Sequence, residues 1–419
     1  MKFLPYLLII SCISLLWKKN DIKDYVKEQL YVVKSINPDD TANYEDLYAI
    51  GEAIGDSRVV MLGEQCHLDG ATFAAKSRLI KYLHKEKGFR VLAFESDFFT
   101  LNVGNEIHPE TSEEEYQRLL KGINNIWTGV EECHSLFNSY IPSSLRSSHP
   151  LRLTGFDNQF YGLLGDSTLK TFLKAAFDKG HLKPRLSEKS NEKFYIALDS
   201  LTSSVYKSRE QLLHPSDELI SLMNELGVVL SKIVTDADSS IENSLEIQVV
   251  KNIKALNDQV LHFDDREFDS LRDSLMADNL HWLMTKKFPN EKIIVWAANS
   301  HINKKAGGIT APFTAMGHFL SKKIPDSDIY SLAFTSREGY HGRSESIKIS
   351  KPLSKNLEKW IPDDIDYAFL DWKNETSLAD EQFYMRVLGH GNIKRAWQTR
   401  FDGVFYIKEM QPAHRLNTK

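Results

Sequence analysis

The chain reads as an α/β protein: a central, mostly parallel sheet flanked by helices, with a helical insertion forming part of a cleft. Three observations predict this. Short apolar runs recur at Val59-Val60-Met61-Leu62, Val91-Leu92-Ala93-Phe94 and Ile293-Ile294-Val295-Trp296-Ala297, as expected of strands buried on both faces. Segments with helical spacing lie between them. Each run is followed directly by polar side chains, in Gly63-Glu64-Gln65-Cys66-His67, Glu95 and Asn299-Ser300-His301. In an open α/β sheet ligands bind outside the carboxyl ends of the strands, so these groups converge on one crevice.

The elements follow in order. Met1 to Trp17 holds one cation, Lys2, and an apolar run from Phe3 that is shorter than a membrane span of about 20 residues. It predicts an export signal or lipoprotein leader over residues 1–20. Ile9-Ile10-Ser11-Cys12 resembles the bacterial lipoprotein cleavage box, which would leave a lipidated Cys12 at the mature terminus, so a periplasmic or membrane-anchored location is expected. Residues 21–419 read as one elaborated domain. Asp21 to Asn43 is charged and reads as helical, and Tyr44 to Ile54 as a short amphipathic helix before Gly55-Asp56-Ser57 turns into the first strand.

Ala71 to Lys85 places Ala71, Ala74, Ala75, Arg78, Leu79 and Tyr82 at helical spacing, with small residues that allow close packing on a sheet. Gly88-Phe89-Arg90 ends it and opens the second strand. Leu151 to Phe156 is a further strand, ending in Asp157. From about residue 163 to 260 the pattern is polar and helical, which predicts the insertion. Asp264 to Lys287 is a long helix with Leu271, Leu275, Leu280, Leu283 and Met284 near core spacing. Ile329 to Phe334, Asp366 to Leu370 and Gly403 to Ile407 supply more strands, and Met316 to Lys323 a helix.

Composition narrows the function. The 419 residues are 42% hydrophobic and 26% charged, which excludes bulk disorder. Net charge is −5, and the basic residues form no stripe, so no nucleic-acid partner is expected. Besides Cys12 there are only Cys66 and Cys133, which could pair only if their Cα atoms lie close. No cysteine cluster, dinucleotide fingerprint, P-loop or His-Glu-x-x-His motif is present, and no cofactor is expected. A Gly-x-Ser-x-Gly elbow is also absent, which disfavours a Ser-His-Asp hydrolase of the common α/β type.

The chemistry-bearing residues point to ester hydrolysis, which needs a base, a group to orient it and donors for an oxyanion. His67 is the natural base, since the ordinary histidine pKa of about 6.5 lies near working pH. Glu64 and Glu95 are the carboxylates to orient it, and His301 ends a third strand. A competing reading makes Glu64 a helix cap and His67 a polar turn residue. The same His and Glu set would also suit a metal-dependent hydrolase, and an exported protein that binds an apolar ligand without turnover is a third reading.

Arg272, Met276 and Asn279 stand at i, i+4 and i+7, so a cation and an amide share one helix face. Arg78 shares a face with Ala71, Ala74 and Ala75. Either arginine could polarise a carbonyl oxygen, and Asp157 is a weaker candidate because acids after strands often cap helices. Arg78, Arg272, Asp157 and Asn279 are thus the expected substrate-binding residues. Trp127, Trp282 and Trp296 are read as core. Cys66, next to His67, points to a different side if the segment is extended.

Taken in order, these residues resemble the erythromycin esterase-like hydrolases. The resemblance covers Leu62-Gly63-Glu64-Gln65-Cys66-His67 with Lys76 and Arg78, Gly88-Phe89 through Phe94-Glu95, Trp127 and Gly155-Phe156-Asp157. It continues through Arg272, Met276-Ala277-Asp278-Asn279-Leu280, Val295 to His301, and Met316-Gly317. It implies a metal-independent hydrolase with His67 as base for water, Glu64 and Glu95 in support and His301 across the cleft. It also implies a small-molecule ester or lactone as partner. The best-studied members open macrolide lactones, so antibiotic resistance is one possible role. Two positions depart: Ala298 stands where the family often has histidine, and Leu68 where glycine is common.

Overall fold

The computed structural model describes residues 21–103, 113–160, 167–183, 188–204, 216–262, 268–307, 313–342, 346–375, 377–378 and 381–416. The expected leader with Cys12, and the expected starts of helical stretches at residues 163 and 264, lie outside them. The strands among the described residues are β1 (Tyr31–Val33), β2 (Val59–Leu62), β3 (Phe89–Asp97), β4 (Arg152–Asp157), β5 (Lys292–Trp296) and β6 (Ile329–Gly342). They continue with β7 (Ser346–Lys348), β8 (Tyr367–Asp371), β9 (Phe383–Met385), β10 (Ile393–Arg395) and β11 (Gly403–Met410).

The central sheet runs β1-β8-β11-β6-β2-β5-β3-β4. From β11 to β4 every neighbour pair is parallel. Antiparallel β8 and β1 extend one edge, and β7 folds back on the end of β6. Register fixes where chemistry sits. Trp296 of β5 pairs with Leu62 of β2 on one side and with Phe94 of β3 on the other. The residues that follow Leu62, Phe94 and Trp296 therefore emerge side by side at one level of the sheet.

Alternation along the strands divides two apolar layers, as the strand period of two requires. Val59, Met61, Val91, Ala93, Ile293 and Val295 enter one core cluster. Val60, Leu62, Leu92, Phe94, Ile294 and Trp296 enter the other. Helix Gly70–Lys87 covers the second layer through Phe73, Leu79, Ile80 and Leu83. Helix Phe268–Trp282 covers the first through Met276 and Leu280. Between β4 and that helix lie helices Ser167–Asp178, Glu188–Ser204, Asp217–Thr235 and Leu245–Leu261, whose apolar faces join the first layer.

Local structure departs from expectation at several points. Asp21 to Asn43 is helical only over Ile22–Glu28, because Tyr31-Val32-Val33 takes an edge position against β8. The long helix ends in a wider turn at Leu283–Lys287. Strand β6 runs on to Gly342, well past Phe334. Cys66 and Cys133 are both free thiols. No helix among the described residues is long and apolar enough to cross a membrane.

Candidate active site

At the end of β2 the backbone passes close to the helix Asn299–Ile302. A Cβ on Gly63 would stand 1.9 Å from Asn299 Oδ1, so only glycine fits the approach. The Asn299 N–H donates to the Glu64 carbonyl at 2.9 Å. Glu64 itself is fully buried. Its Oε1 accepts from His67 Nδ1 at 2.7 Å and from Trp127 Nε1 at 3.3 Å, and its Oε2 accepts from Lys76 Nζ at 2.9 Å and Trp296 Nε1 at 2.8 Å. Burial opposes the charge, but Lys76 and then His67 hold its carboxyl below the usual range.

Lys76 is as buried as Glu64 and lies 4.2 Å from the centre of the Trp296 ring, where an ammonium is attracted by the ring face. Burial lowers its pKa to about 8 against the pull of Glu64. His67 differs, with its side chain 44% exposed. Burial of its remaining surface favours the neutral ring, yet the hydrogen bond and charge of Glu64 raise its pKa above 6.5. Because Nδ1 is held by Glu64, Nε2 is the nitrogen left to meet water. Leu68 next in the chain has φ +75, a left-handed conformation that costs a non-glycine residue about 1–3 kcal/mol.

A second group forms at the ends of β3, β4 and β5. Arg272 grips Asp157 with two bonds, Nε to Oδ1 at 3.1 Å and Nη2 to Oδ2 at 2.6 Å, and Nη2 also reaches Glu95 Oε1 at 3.1 Å. His301 places Nε2 3.2 Å from Glu95 Oε1 and Nδ1 2.9 Å from Asp273. The Ala298 N–H donates to Glu95 Oε2 at 3.0 Å. Burial disfavours charge on His301, but Asp273 and Glu95 more than offset this and lift its pKa to about 10. Burial likewise opposes charge on Glu95, and His301 and Arg272 bring its carboxyl well below the usual range.

The structure thus brings Glu64 and His67 into one group, and Glu95, His301, Arg272 and Asp157 into another; Glu95 and His301 both act electrostatically on His67. Glu64 bonds side chains of the site and caps no helix. Two expected substrate contacts are corrected. Arg78 binds Asp46 with both Nη atoms at 2.9 Å and also the carbonyls of Asp40, Ser35 and Asn43. Its guanidinium therefore ties down the segment before β2. Asn279 is buried among Gln248, Asn252 and the Phe156 carbonyl, with both ends of its amide bonded.

Four residues have site roles that the sequence reading did not assign. Lys76 supplies the cation for Glu64, Asp273 holds His301, and Trp127 and Trp296 use their indole N–H groups on Glu64 as well as their rings in the core. Asp273 is adjacent to Arg272, but no periodicity marks it. Cys66 is a poor nucleophile here, its thiol pushed up to about 11 by burial and by Asp69 and Glu64. Lys76 and Arg272 already neutralise Glu64 and Glu95, which opposes a further dication at this cluster. Among the described residues one set has metal-ligand spacing: Asp69, His341 and His390.

A family model described as Erythromycin esterase matches residues 84–413. The Bacillus subtilis (strain 168) protein YbfO is 25% identical over 404 residues, taking in 89% of this chain and 88% of that protein. The Escherichia coli erythromycin esterase type II is 24% identical over 421 residues, 92% of this chain and 97% of that one. Among solved structures, a mutant of the erythromycin esterase EreC in its open conformation superposes with a TM-score of 0.67 at 16% identity, covering 91% of this chain and 98% of that one. That structural match shares the fold described above.

Proposed function

Because the chain belongs to the erythromycin esterase family of hydrolases, we propose that it hydrolyses carboxylic esters, macrocyclic lactones included, with His67 as general base. The observation that carries this reading is the 2.7 Å bond between Glu64 and His67 Nδ1. A carboxylate on one ring nitrogen fixes the tautomer and leaves the other to take a proton. The two histidines divide the work by environment. His301 has both ring nitrogens against carboxylates, Asp273 and Glu95, which lift its pKa to about 10, so we read it as the cationic partner and His67 as the base.

In the proposed reaction a water oxygen attacks the acyl carbon while His67 Nε2 takes the proton. The carbonyl electrons move to oxygen, giving a tetrahedral oxyanion. Arg272 Nη1, which has no carboxylate partner among the described residues, is the donor for that oxygen, with the charge of His301 beside it. Collapse expels the alkoxide, which takes the proton back from His67, leaving acid and alcohol. Glu95 and Asp157 are positioning residues that aim Arg272. Ala298 removes a family side chain, but its backbone N–H still anchors Glu95, which supports a site that works with one histidine fewer.

Purified protein assayed on a panel of esters and lactones, 14-membered macrolides among them, is expected to release acid from some members. His67→Ala is expected to lower kcat by about 10²–10⁴-fold with the circular dichroism spectrum retained. Undiminished turnover in that variant would falsify the assignment of the base. Binding without turnover across the panel would instead favour a non-catalytic ligand carrier. We further read residues 1–20 as the export leader. Cell fractionation with a Cys12→Ser variant tests this, since loss of membrane attachment on that change marks a lipoprotein.

A further inference from the structure

The turn that carries Glu64 and His67 also carries Gln65 and Asp69, and both of these reach the His390 ring instead. Asp69 is fully buried, and among the described residues its carboxylate has no Lys or Arg ion pair. Its Oδ2 accepts from the Cys66 N–H at 3.1 Å, and its Oδ1 lies 3.1 Å from His390 Nε2. Half-buried His341, near the end of β6, sets its ring 4.7 Å from that of His390, centre to centre. One donor atom from each of the three residues lies within 4.8 Å of the others.

We propose that Asp69, His341 and His390 bind one divalent transition-metal ion of the zinc class, at a site separate from the Glu64–His67 pair. Two imidazole nitrogens and a carboxylate oxygen are a donor set that suits zinc. Tetrahedral bonds of about 2.0–2.1 Å hold donor atoms roughly 3.3 Å apart, so Asp69 and His390 already stand at ligand separation. His341, the partly exposed member, needs to move by at most about 1.5 Å to reach the same spacing.

The surroundings are those of a built site. His390 Nδ1 lies 3.1 Å from Ser336 Oγ, which accepts from Gln65 Nε2 at 2.9 Å. With the ring proton on Nδ1 donating to Ser336 Oγ, this contact orients the ring and leaves the Nε2 lone pair for the ion. His390 itself sits at φ +56, a left-handed backbone that is strained for histidine. Buried Arg386 holds it there with two bonds to its carbonyl, at 2.9 and 2.7 Å. Asp69, His390 and Ser336 also form a carboxylate, imidazole and hydroxyl chain, but Ser336 is fully buried and presents no nucleophile. Without a metal, His390 Nε2 and Asp69 are within hydrogen-bond distance of each other; a bound cation would stand between them, with the ring proton on Nδ1.

The ion would join three segments: the turn that carries His67, the end of β6, and the loop after β9, whose Gly389 N–H already donates to the Gln65 carbonyl at 3.0 Å. The test uses the full chain, without a histidine tag, stripped by chelator and titrated calorimetrically with Zn²⁺ alone. One equivalent is expected, with proton release and a higher Tm. His341→Ala, on a half-buried side chain, and His390→Asn, which keeps a residue tolerant of left-handed backbone, are each expected to weaken binding by at least about tenfold, the scale that even outer-shell partners of a metal carry. His67→Ala is expected to bind as the parent does. Absence of stoichiometric binding, survival of binding in both histidine variants, or its loss in His67→Ala would each overturn the proposal.

Discussion

At the scale of single residues, His67 and His301 show how similar partners yield different protonation states. His67 is hydrogen-bonded to one carboxylate and has an open side; burial favours its neutral ring, and Glu64 raises its pKa above 6.5. His301 is enclosed by Asp273 and Glu95 and reaches about 10. Activity that needs neutral His67 and cationic His301 therefore climbs as pH rises through a value above 6.5 and declines on the alkaline side. The decline begins near 8, where Lys76 loses the proton that balances Glu64, and is complete above about 10. A kcat/KM profile reads this directly, and an acidic limb that persists unchanged in Glu64→Gln would assign it to another group. Lys76→Met makes a sharper test of the buried pair. Leaving Glu64 buried without its cation is expected to destabilise the fold by about 3–5 kcal/mol, read from urea denaturation. A loss below about 1 kcal/mol would mean that Glu64 is neutral in the folded chain.

At the scale of elements, the site depends on how closely β2 meets the helix Asn299–Ile302. Asn299 bonds the Phe334 carbonyl and N–H and the Val387 carbonyl, so it has little room to yield to a methyl group on Gly63. Gly63→Ala is expected to cost about 1–3 kcal/mol and to lower turnover by displacing Glu64; an unchanged denaturation midpoint would show that the helix shifts freely. The strand ends around this contact were legible in the sequence because strands buried on both faces must be apolar throughout, and the polar residues after them stand out. Arg78 was not, because Lys76 and Arg78 are two residues apart on one helix and so face opposite ways. The alanines beside Arg78 marked close packing, not a substrate. Asn279 shares a face with Arg272 but lies two turns along, inside an amide network that only tertiary contacts with Gln248 and Asn252 create. Asp273 and the indole donors were hidden for the same reason. Strand β1 was missed because three residues are too few to show a period.

At the scale of the whole molecule, the sheet is covered on both faces, and its ionisable groups are buried where β2, β3, β4 and β5 end. Global stability therefore carries their titration. Glu64 and Glu95 have lowered pKa values, so the stability they contribute is present above about 4.5 and is lost as pH falls through the lower folded values. His301 has a raised value, so its contribution is complete below 6.5 and is lost as pH rises from there to about 10. Lys76 acts in the opposite sense between about 8 and 10.5, where the unfolded chain holds a proton that the folded chain has released. The two effects compete above 8, which leaves the window from about 6.5 to 8 governed by the histidines. There the free energy of unfolding is expected to fall by roughly 1.4 kcal/mol per pH unit for the proton held by His301. Urea denaturation at half-unit steps measures the slope, and His301→Gln is expected to flatten it even if the variant is less stable throughout. A slope that survives the substitution would place the responsible proton elsewhere and leave His301 neutral, which would also remove its charge from the proposed oxyanion site.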